Sequence, residues 1–235
     1  MSKVTDILKE HCPLPLENAF VEKAALIAER LVSENKKYNL TALVEEEEVA
    51  LLHLYDSLSV FTAVETSGKR VIDVGCGGGF PSLVLGAYDE KAEITALDST
   101  AKKIAFVAET ACLAGIDNLE AVAARAEEFV ALEGKRESYD LAVSRGVARL
   151  NVLAELCLPF VKVGGLFVAM KGNHGKEEAE EAEKAIRILG ASVKEIKTVK
   201  IPVFEREHCL VVIEKNKPTP RDYPRQYSRI VKKPL

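Results

Sequence analysis

The stretch that decides the fold is Asp73-Val74-Gly75-Cys76-Gly77-Gly78-Gly79-Phe80-Pro81. It follows an apolar run that ends at Val74 and opens a helical pattern at Pro81, a residue suited to a first helical turn. Glycines in such a turn let the backbone approach a ligand closely at the carboxyl end of a strand. The stretch therefore predicts a Rossmann-like ligand site, although a glycine-rich turn alone does not say which ligand it binds.

The spacing and charge of this loop distinguish between ligand classes. Its glycines follow a GxGxG pattern rather than GxGxxG, and no Lys-Ser or Lys-Thr pair is present to form a P-loop. Asp73, just before the loop, would oppose a pyrophosphate but would suit the ammonium and sulfonium groups of S-adenosylmethionine (SAM). These features favour SAM over NAD. The candidate cofactor contacts in this stretch are Asp73, Gly75, Gly77 and Gly79.

Outward from the loop, short β-rich runs alternate with helical stretches, the pattern of βαβ units in a parallel sheet. These runs are Arg70–Val74, Glu93–Asp98, Leu119–Ala124, Tyr139–Ser144 and Gly165–Lys171. Two last runs, Val193–Ile201 and His208–Glu214, are joined without a helix, so one of them must be antiparallel to a neighbour. The order predicts an α/β fold with a doubly wound seven-stranded Rossmann-like sheet and an antiparallel C-terminal hairpin, as in many SAM methyltransferases.

The chain on either side of this sheet has a different pattern. Apolar positions at helical spacing occur over 17–35 and again after Thr41, where Glu45–Glu48 would lie in a first helical turn. After the hairpin, six cationic residues stand against one Asp. We therefore expect an N-terminal helical extension over 1–67, a SAM-dependent methyltransferase domain over 68–215 and a basic C-terminal tail over 216–235.

Composition limits the function classes. A chain of 235 residues with 48% apolar composition can bury a core without disulfides or a structural metal. The five cysteines form no CxxC pair and fit no zinc spacing, so we expect reduced, packed thiols and no metal site. Neither a membrane-spanning run nor a signal-peptide core is present, which favours a cytoplasmic protein without membrane contact. The net charge of −4 still allows a local basic contact, because the tail alone is basic.

Residues after the second and third strands are candidates for the rest of the cofactor. Asp98 ends a strand, where a carboxylate can accept hydrogen bonds from ribose hydroxyls, although Asp98-Ser99-Thr100 would also suit a helix N-cap. We favour ribose binding, because the strand end and the spacing agree. Ala126 and Glu127 follow the third strand, near where an adenine would lie; the alternative for Glu127 is a charge in a first helical turn.

Motifs along nearly the whole chain are similar to one family. They are Tyr38-Asn39-Leu40-Thr41, His53 with Asp56-Ser57-Leu58, the glycine loop, Asp98-Ser99 with Lys102-Lys103, Ser144-Arg145, Lys171-Gly172, Tyr223-Pro224-Arg225 and Lys233-Pro234-Leu235. Together they resemble the bacterial small-subunit ribosomal RNA guanine-N7 methyltransferases, also called the glucose-inhibited division protein B family. The resemblance implies SAM as methyl donor and, as acceptor, N7 of a guanine in the decoding region of 16S ribosomal RNA. It also implies SAM contacts at Gly75, Phe80, Ala126, Glu127 and Arg145.

The residues themselves suit such an acceptor. Guanine N7 has an exposed lone pair and needs no base to deprotonate it. After the fourth strand the chain reads Ser144-Arg145-Gly146-Val147, and not the Asn/Asp-Pro-Pro-aromatic motif of amino-group methylases. No residue is a certain catalytic group. We expect Arg145 and Lys171, at the ends of the fourth and fifth strands, to position the reactants.

Basic residues near the same sheet edge are the predicted RNA contacts. Lys171 is expected to meet an RNA phosphate or guanine O6, and Arg206 and Arg225 are expected to meet phosphates. His53 and Asp56 share a helix face, from which they could reach the substrate or make a structural hydrogen bond. The expected partner is 16S ribosomal RNA or the small ribosomal subunit, and no obligate protein partner is evident.

Two other functions stay open at this point. A small-molecule SAM methyltransferase is disfavoured by the basic tail and by the lack of an aromatic-rich lid in a chain without Trp. A non-catalytic module that binds SAM as a signal is compatible with an intact glycine loop.

Overall fold

The computed structural model describes residues 3–204 and 206–235, and across them seven strands form one sheet. The strands are β1 (Arg70–Val74), β2 (Glu93–Asp98), β3 (Leu119–Ala123), β4 (Tyr139–Arg145), β5 (Val161–Lys171), β6 (Ala191–Ile201) and β7 (Arg206–Lys215). The helices are α1 (Lys3–His11), α2 (Asn18–Tyr38), α3 (Glu46–Glu48), α4 (Asp56–Leu58), α5 (Ser82–Tyr88), α6 (Ala101–Leu113), α7 (Ala126–Phe129), α8 (Leu150–Cys157), α9 (Gly175–Ile188) and α10 (Tyr227–Lys232).

The strand order is β3-β2-β1-β4-β5-β7-β6. Strands β1 to β5 are parallel, and β7 is antiparallel to both β5 and β6. The predicted doubly wound sheet with an antiparallel C-terminal hairpin is therefore confirmed. Strand β5 begins at Val161 rather than Gly165, because the exposed residues 162–164 and the glycine pair Gly164-Gly165 interrupt the apolar pattern at its start.

Each face of the sheet is covered by helices. Alternate residues point to opposite faces, so Val71 and Ile72 of β1 belong to two different apolar clusters. The first cluster includes side chains from α5 and α6, such as Leu83 and Phe106. The second includes side chains from α8 and α9, such as Leu153 and Ile186. The two layers hold the sheet rigidly and leave its carboxyl edge open.

The N-terminal helices join the first of these clusters rather than forming a separate core. Leu8 of α1, Ile27 of α2 and Leu51 are buried in the same cluster as Val71. Helix α1 is an addition to the helices that the sequence pattern indicates. The predicted boundary after residue 67 therefore marks a change of pattern within one continuous core.

Between α2 and the sheet lies a continuous helical stretch, called segment 46–62 below. It consists of α3, a π-helical stretch (Val49–Tyr55), α4 and a 3₁₀ turn (Ser59–Thr62). The sequence predicts one apolar stripe here, but five residues between Val49 and Leu54 are buried apolar side chains facing several directions. None of the helices in the described ranges combines the length and apolar character needed to cross a membrane.

The strand order places the functional loops beside one another. The order reverses between β1 and β4, so the chains that leave these two strands diverge and open a crevice at their carboxyl ends. The glycine loop follows β1, and Arg145 ends β4. Asp98 ends β2, on the other side of β1.

Candidate active site

A cleft of about 760 Å³ opens at this carboxyl edge. Its volume is ordinary for a site that holds a cofactor-sized molecule. The predicted site residues that line it are Gly75, Gly77, Phe80, Asp98, Ala126, Glu127, Arg145, Lys171 and Arg206. Three others, Asp73, Gly79 and Arg225, are outside its lining.

The glycines of the loop have different roles. Gly75 has φ 78°, and a Cβ there would lie 2.4 Å from a methyl group of Val147. Gly79 has φ 88°, and a Cβ there would lie 2.5 Å from Leu83 of α5. Gly77 faces open space. Gly75 and Gly79 thus allow tight packing, and Gly79 packs against α5 rather than facing the cleft. Gly77 keeps the floor of the cleft open.

Asp73 lies fully buried beneath the loop. Its Oδ2 accepts a hydrogen bond of 3.0 Å from the backbone N–H of Ser82, the first residue of α5. Burial raises the pKa of Asp73 to about 7, against the opposing effect of the Ser82 hydrogen bonds. The enclosed carboxyl group thus ties the strand to α5 and lies outside the cleft lining, and its predicted contact with SAM stays a prediction.

Asp98 lines the cleft and braces the loop. Its Oδ2 accepts a hydrogen bond of 3.0 Å from Gly77 N–H, and its Oδ1 accepts one of 2.8 Å from Thr100 N–H at the start of α6. The N-cap of α6 is Thr100 rather than Asp98, although Asp98 holds the Thr100 N–H, and ribose binding by Asp98 stays a prediction. Beside it, Gly75 N–H and Cys76 N–H donate to the carbonyl oxygen of Leu97.

The outer end of the cleft is built from α7 and the tail. Ala126 and Glu127 are the first two residues of α7 and line the cleft. Tyr227, which sequence reasoning missed, lines it too, and its backbone N–H donates to Glu127 Oε1 at 3.2 Å. The Arg125 guanidinium lies over the Tyr227 ring, 5.6 Å from its centroid. Sequence pattern offered no signal for Tyr227, because it is distant in the chain.

The inner end of the cleft is organised by Arg145. Its Nη1 donates to the carbonyl oxygen of Leu52 at 2.8 Å and to Asp56 Oδ2 at 2.9 Å, and its Nη2 contacts His53 Nδ1 at 2.9 Å. The guanidinium also lies over the Phe80 ring, and His53 stacks on the same ring at 4.7 Å. Arg145 therefore joins segment 46–62 to the end of β4.

The protonation of this network follows from its donors. A guanidinium only donates, so His53 Nδ1 accepts from Arg145, and Nε2–H donates to Thr41 Oγ1 at 2.9 Å. Burial and the nearby Arg145 charge lower the pKa of His53 to about 3, which keeps the imidazole neutral. Burial alone would raise the pKa of Asp56, but the His208 hydrogen bond and Arg145 outweigh it and hold that pKa below its ordinary value.

His208 is a second residue that the sequence did not single out. Its Nδ1 lies 2.9 Å from Asp56 Oδ1, and its side chain borders the cleft. Because β7 is antiparallel to β5, its first residues lie at the edge where the parallel strands end. The sequence contains this signal, since a polar residue that opens the last hairpin strand must lie next to the end of β5.

Two of the predicted RNA contacts are already engaged within the protein. Lys171 Nζ lies 2.8 Å from both Glu178 Oε2 and the Ala148 carbonyl oxygen, with a side chain only 9% exposed. Arg225 binds the buried Glu155 carboxylate through its backbone N–H, Nε and Nη2. In this structure Lys171 orders the cleft wall through the half-buried Glu178, and Arg225 anchors the tail through the buried Glu155. Their predicted RNA contacts stay predictions.

Arg206 differs from these two residues. It is exposed at the start of β7, lines the cleft and lies over the Phe204 ring at 5.8 Å. Its position at the mouth of the cleft is compatible with the predicted phosphate contact, which stays a prediction.

The thiol groups are protonated where burial is deep. Burial raises the pKa of Cys76, in the loop, and that of Cys157, in α8, well above the ordinary value. Nucleophilic attack needs a thiolate, so these cysteines act as packed apolar groups.

Comparison with known proteins identifies the family. The family profile of GidB, described as rRNA small subunit methyltransferase G, matches residues 21–209. The chain belongs to this family. A ribosomal RNA small subunit methyltransferase G from Alkaliphilus metalliredigens is 43% identical over 233 residues, covering 97% of this chain and 98% of that protein. Its counterpart from Clostridium tetani is 39% identical over 219 residues, covering 93% and 90%. The family resemblance seen in the sequence is thereby confirmed.

Solved structures with low sequence identity support the fold of this GidB family member. A 16S rRNA (adenine(1408)-N(1))-methyltransferase from Catenulisporales acidiphilia, solved with its cosubstrate SAM, has a TM-score of 0.54. It is 12% identical and covers 66% of this chain and 88% of its own. At this identity the likeness speaks for the fold alone, and the chemistry is read from the family and the site.

Proposed function

We propose that this GidB family enzyme transfers a methyl group from SAM to N7 of a guanine in the decoding region of 16S ribosomal RNA. The enzyme is a SAM-dependent ribosomal RNA methyltransferase by family membership. When bound, SAM supplies a methyl group on a positively charged sulfur, which a lone pair displaces in line. The proposal concerns which acceptor atom the site serves and which residues hold each reactant.

The residues of the cleft fit SAM by their chemistry. Asp98 ends β2, and Glu127 follows the adjacent strand β3. Their carboxylates lie where ribose hydroxyls and an adenine amino group would find acceptors. Gly77 leaves open space beside Asp98. We assign these residues, with Gly75, Phe80, Ala126 and Arg145, to SAM binding.

The observation that supports N7 is the engagement of the inner ionisable groups. Asp56 is bound by Arg145 and His208, and His53 is neutral with both ring nitrogens in contact. An amino group or a ribose hydroxyl must lose a proton during methylation, whereas guanine N7 carries a free lone pair. A cleft that orients and encloses its reactants is sufficient for this acceptor.

His208 is suited to recognising the base. With Nδ1–H donated to ionised Asp56, the His208 tautomer that has no proton on Nε2 can accept a hydrogen bond there. Guanine presents N1–H and N2–H donors opposite its N7 edge, whereas adenine presents an acceptor at N1. We assign His208 to orienting the guanine, and the exposed Arg206 to an RNA phosphate.

A chemical assay separates N7 from other acceptors. The enzyme and SAM are incubated with 16S RNA, naked or in small ribosomal subunits, and the RNA is treated with borohydride and aniline. Methylation at N7 makes the guanine labile, so primer extension should stop at one enzyme-dependent cut in the decoding region. Methyl incorporation without a cut would reject N7 in favour of an amino group, a carbon or a hydroxyl.

The same assay addresses the finer parts of the proposal. Comparing naked RNA with assembled subunits identifies the substrate form, and a prefolded RNA in EDTA tests whether transfer proceeds without a divalent metal. We also propose a cytoplasmic location without an obligate protein partner, because the proposed substrate is found there.

A further inference from the structure

The C-terminal tail is fastened to the body of the enzyme at several points. The Arg136 guanidinium donates to the carbonyl oxygens of Thr219, Pro220 and Tyr223 at 2.8–3.1 Å. Arg225 binds the buried Glu155 of α8. These contacts give residues 219–225 a fixed path over the face of the sheet that α8 and α9 cover.

The anchored path ends at the cleft. Ile230 of α10 is completely buried in the second apolar cluster, which fixes the orientation of this short helix. Tyr227, one turn earlier, lines the cleft with a side chain that remains partly exposed. Its backbone N–H holds Glu127 Oε1, and the Arg125 guanidinium lies over its ring.

The strand order indicates which part of the cofactor lies beside Tyr227. Along the carboxyl edge, Glu127, Asp98, Gly75 and Arg145 follow β3, β2, β1 and β4 in spatial order. The reacting end must lie near β4 and the acceptor residues, and Asp98 is suited to the ribose. The outer end, at Glu127 and Tyr227, is then left for the adenine.

We propose that Tyr227 forms a wall of the adenine subsite, so that the C-terminal tail is part of the cofactor site. This inference rests on the assignment of Asp98 and Glu127 to SAM in the proposed function. An aromatic ring beside a planar base provides stacking area, and the cation above it limits ring motion before the ligand arrives. Because Tyr227 N–H holds one oxygen of Glu127, the other oxygen stays available for the adenine amino group.

Substitutions in α10 test this role by direct binding. Calorimetry with S-adenosylhomocysteine is compared for wild type, Tyr227→Ala, Tyr227→Leu and Tyr227→Phe, using the full chain. Loss of a base-stacking ring should raise Kd about tenfold in the Ala and Leu variants, whereas Phe should stay within about twofold. Val231→Ala is the matched control, because Val231 is exposed in the same helix and lies outside the cleft lining.

Two further measurements locate the contact on adenine. Adenosine, which lacks the amino-acid half of the cofactor, should lose affinity by the same factor as S-adenosylhomocysteine in Tyr227→Ala. Nuclear Overhauser effects should connect the Tyr227 ring protons with adenine H2 or H8 in the wild-type complex. Thermal unfolding without ligand identifies any variant whose loss of binding reflects loss of fold, and the Leu variant, which keeps the apolar bulk, then decides the result.

The outcomes distinguish this inference from the proposed function on which it rests. Unchanged S-adenosylhomocysteine affinity in folded Tyr227→Ala and Tyr227→Leu, while Asp98→Ala binds weakly, would overturn the role of Tyr227 and leave the proposed function standing. Weaker RNA binding with intact cofactor binding would overturn it as well, by making the tail an RNA surface. The proposed N7 acceptor is tested separately, and absence of the borohydride-dependent cut would reject it.

Discussion

Asp73 illustrates how a single buried carboxyl group supports the loop. Burial raises its folded-state pKa to about 7 from an ordinary value of 3.8. A group with a raised folded-state pKa stabilises the fold fully below its unfolded pKa, and this contribution is lost as pH rises through the folded-state value. The wild type should therefore lose stability from Asp73 between about pH 4 and pH 7.

We predict that Asp73→Asn becomes relatively more stable as pH rises. The neutral amide should mimic the protonated acid at pH 5 but avoid a buried charge at pH 8. The melting temperature of the variant minus that of the wild type should therefore be larger at pH 8 than at pH 5. Differential scanning calorimetry at both pH values measures this shift. A constant difference in melting temperature across the range would contradict the raised pKa, whatever the baseline effect of the substitution.

Asp98 carries the second prediction at this scale. Asp98→Ala should weaken binding of SAM and S-adenosylhomocysteine by at least tenfold, because charge-assisted hydrogen bonds contribute about 1.5–3 kcal/mol each. The loop would also lose the Asp98–Gly77 contact. Calorimetry measures both affinities, and Asp117→Ala, a change in the turn between α6 and β3 away from the cleft lining, serves as control. Unchanged affinity in Asp98→Ala would remove Asp98 from the cofactor site.

These residues also show what sequence can and does not reveal. The position of Asp98 at the end of β2 could be predicted, because a strand end is a local property of the chain. The burial of Asp73 beneath the loop could not be predicted, since proximity to the loop in sequence does not say on which side of it a side chain lies. Lys171 and Arg225 looked like free cations because their partners, Glu178 and Glu155, are distant or lie on another element.

Among the elements, segment 46–62 combines α-, π- and 3₁₀-helical turns, and its His53 and Asp56 line the cleft. Its π-helical stretch leaves the Leu52 carbonyl oxygen available to Arg145. Single π-turns are frequently found at functional sites. Apolar periodicity predicted a helix here, but the wider turn depends on a partner from β4, which no local pattern contains.

The third prediction concerns this junction. Arg145→Lys should reduce methyl transfer by at least tenfold and lower stability by about 2 kcal/mol or more, because a lysine ammonium does not span three acceptors as a planar guanidinium does. Methyl incorporation and urea unfolding measure the two effects. Arg149→Lys is the matched control, since Arg149 pairs with Glu181 at the surface and its change should cost less than about 1 kcal/mol. Equal effects of the two variants would contradict a special role for Arg145.

At the scale of the whole molecule, sheet, N-terminal helices and tail converge on one cleft. The alternation of strands and helices predicted the doubly wound sheet, because each βα unit is recognised from consecutive residues. The return of the tail to α7 and α8 was not readable, since it depends on contacts such as Arg225–Glu155 between residues 70 positions apart. A basic composition indicated an RNA-binding end, whereas the fold uses part of that charge internally.

The last prediction tests this internal use of charge. Glu155 is completely buried, and Arg225 supplies its cationic partner with a side chain 21% exposed. Arg225→Ala should destabilise the enzyme by roughly 2–4 kcal/mol, because it leaves a buried carboxylate without compensation. It should also weaken S-adenosylhomocysteine binding, because the released tail would no longer hold Tyr227 at the cleft. Arg229→Ala, an exposed change in α10, should alter stability by no more than about 0.5 kcal/mol.

A second substitution distinguishes the ion pair from general damage to the tail. Adding Glu155→Gln to Arg225→Ala removes the uncompensated charge, so it should restore a large part of the lost stability while the tail remains unanchored and cofactor affinity remains low. Urea unfolding and calorimetry on the two single variants and the double variant complete the cycle. Strictly additive losses of stability would show that Arg225 and Glu155 act independently, and that other contacts, such as those of Arg136 and Ile230, hold the tail.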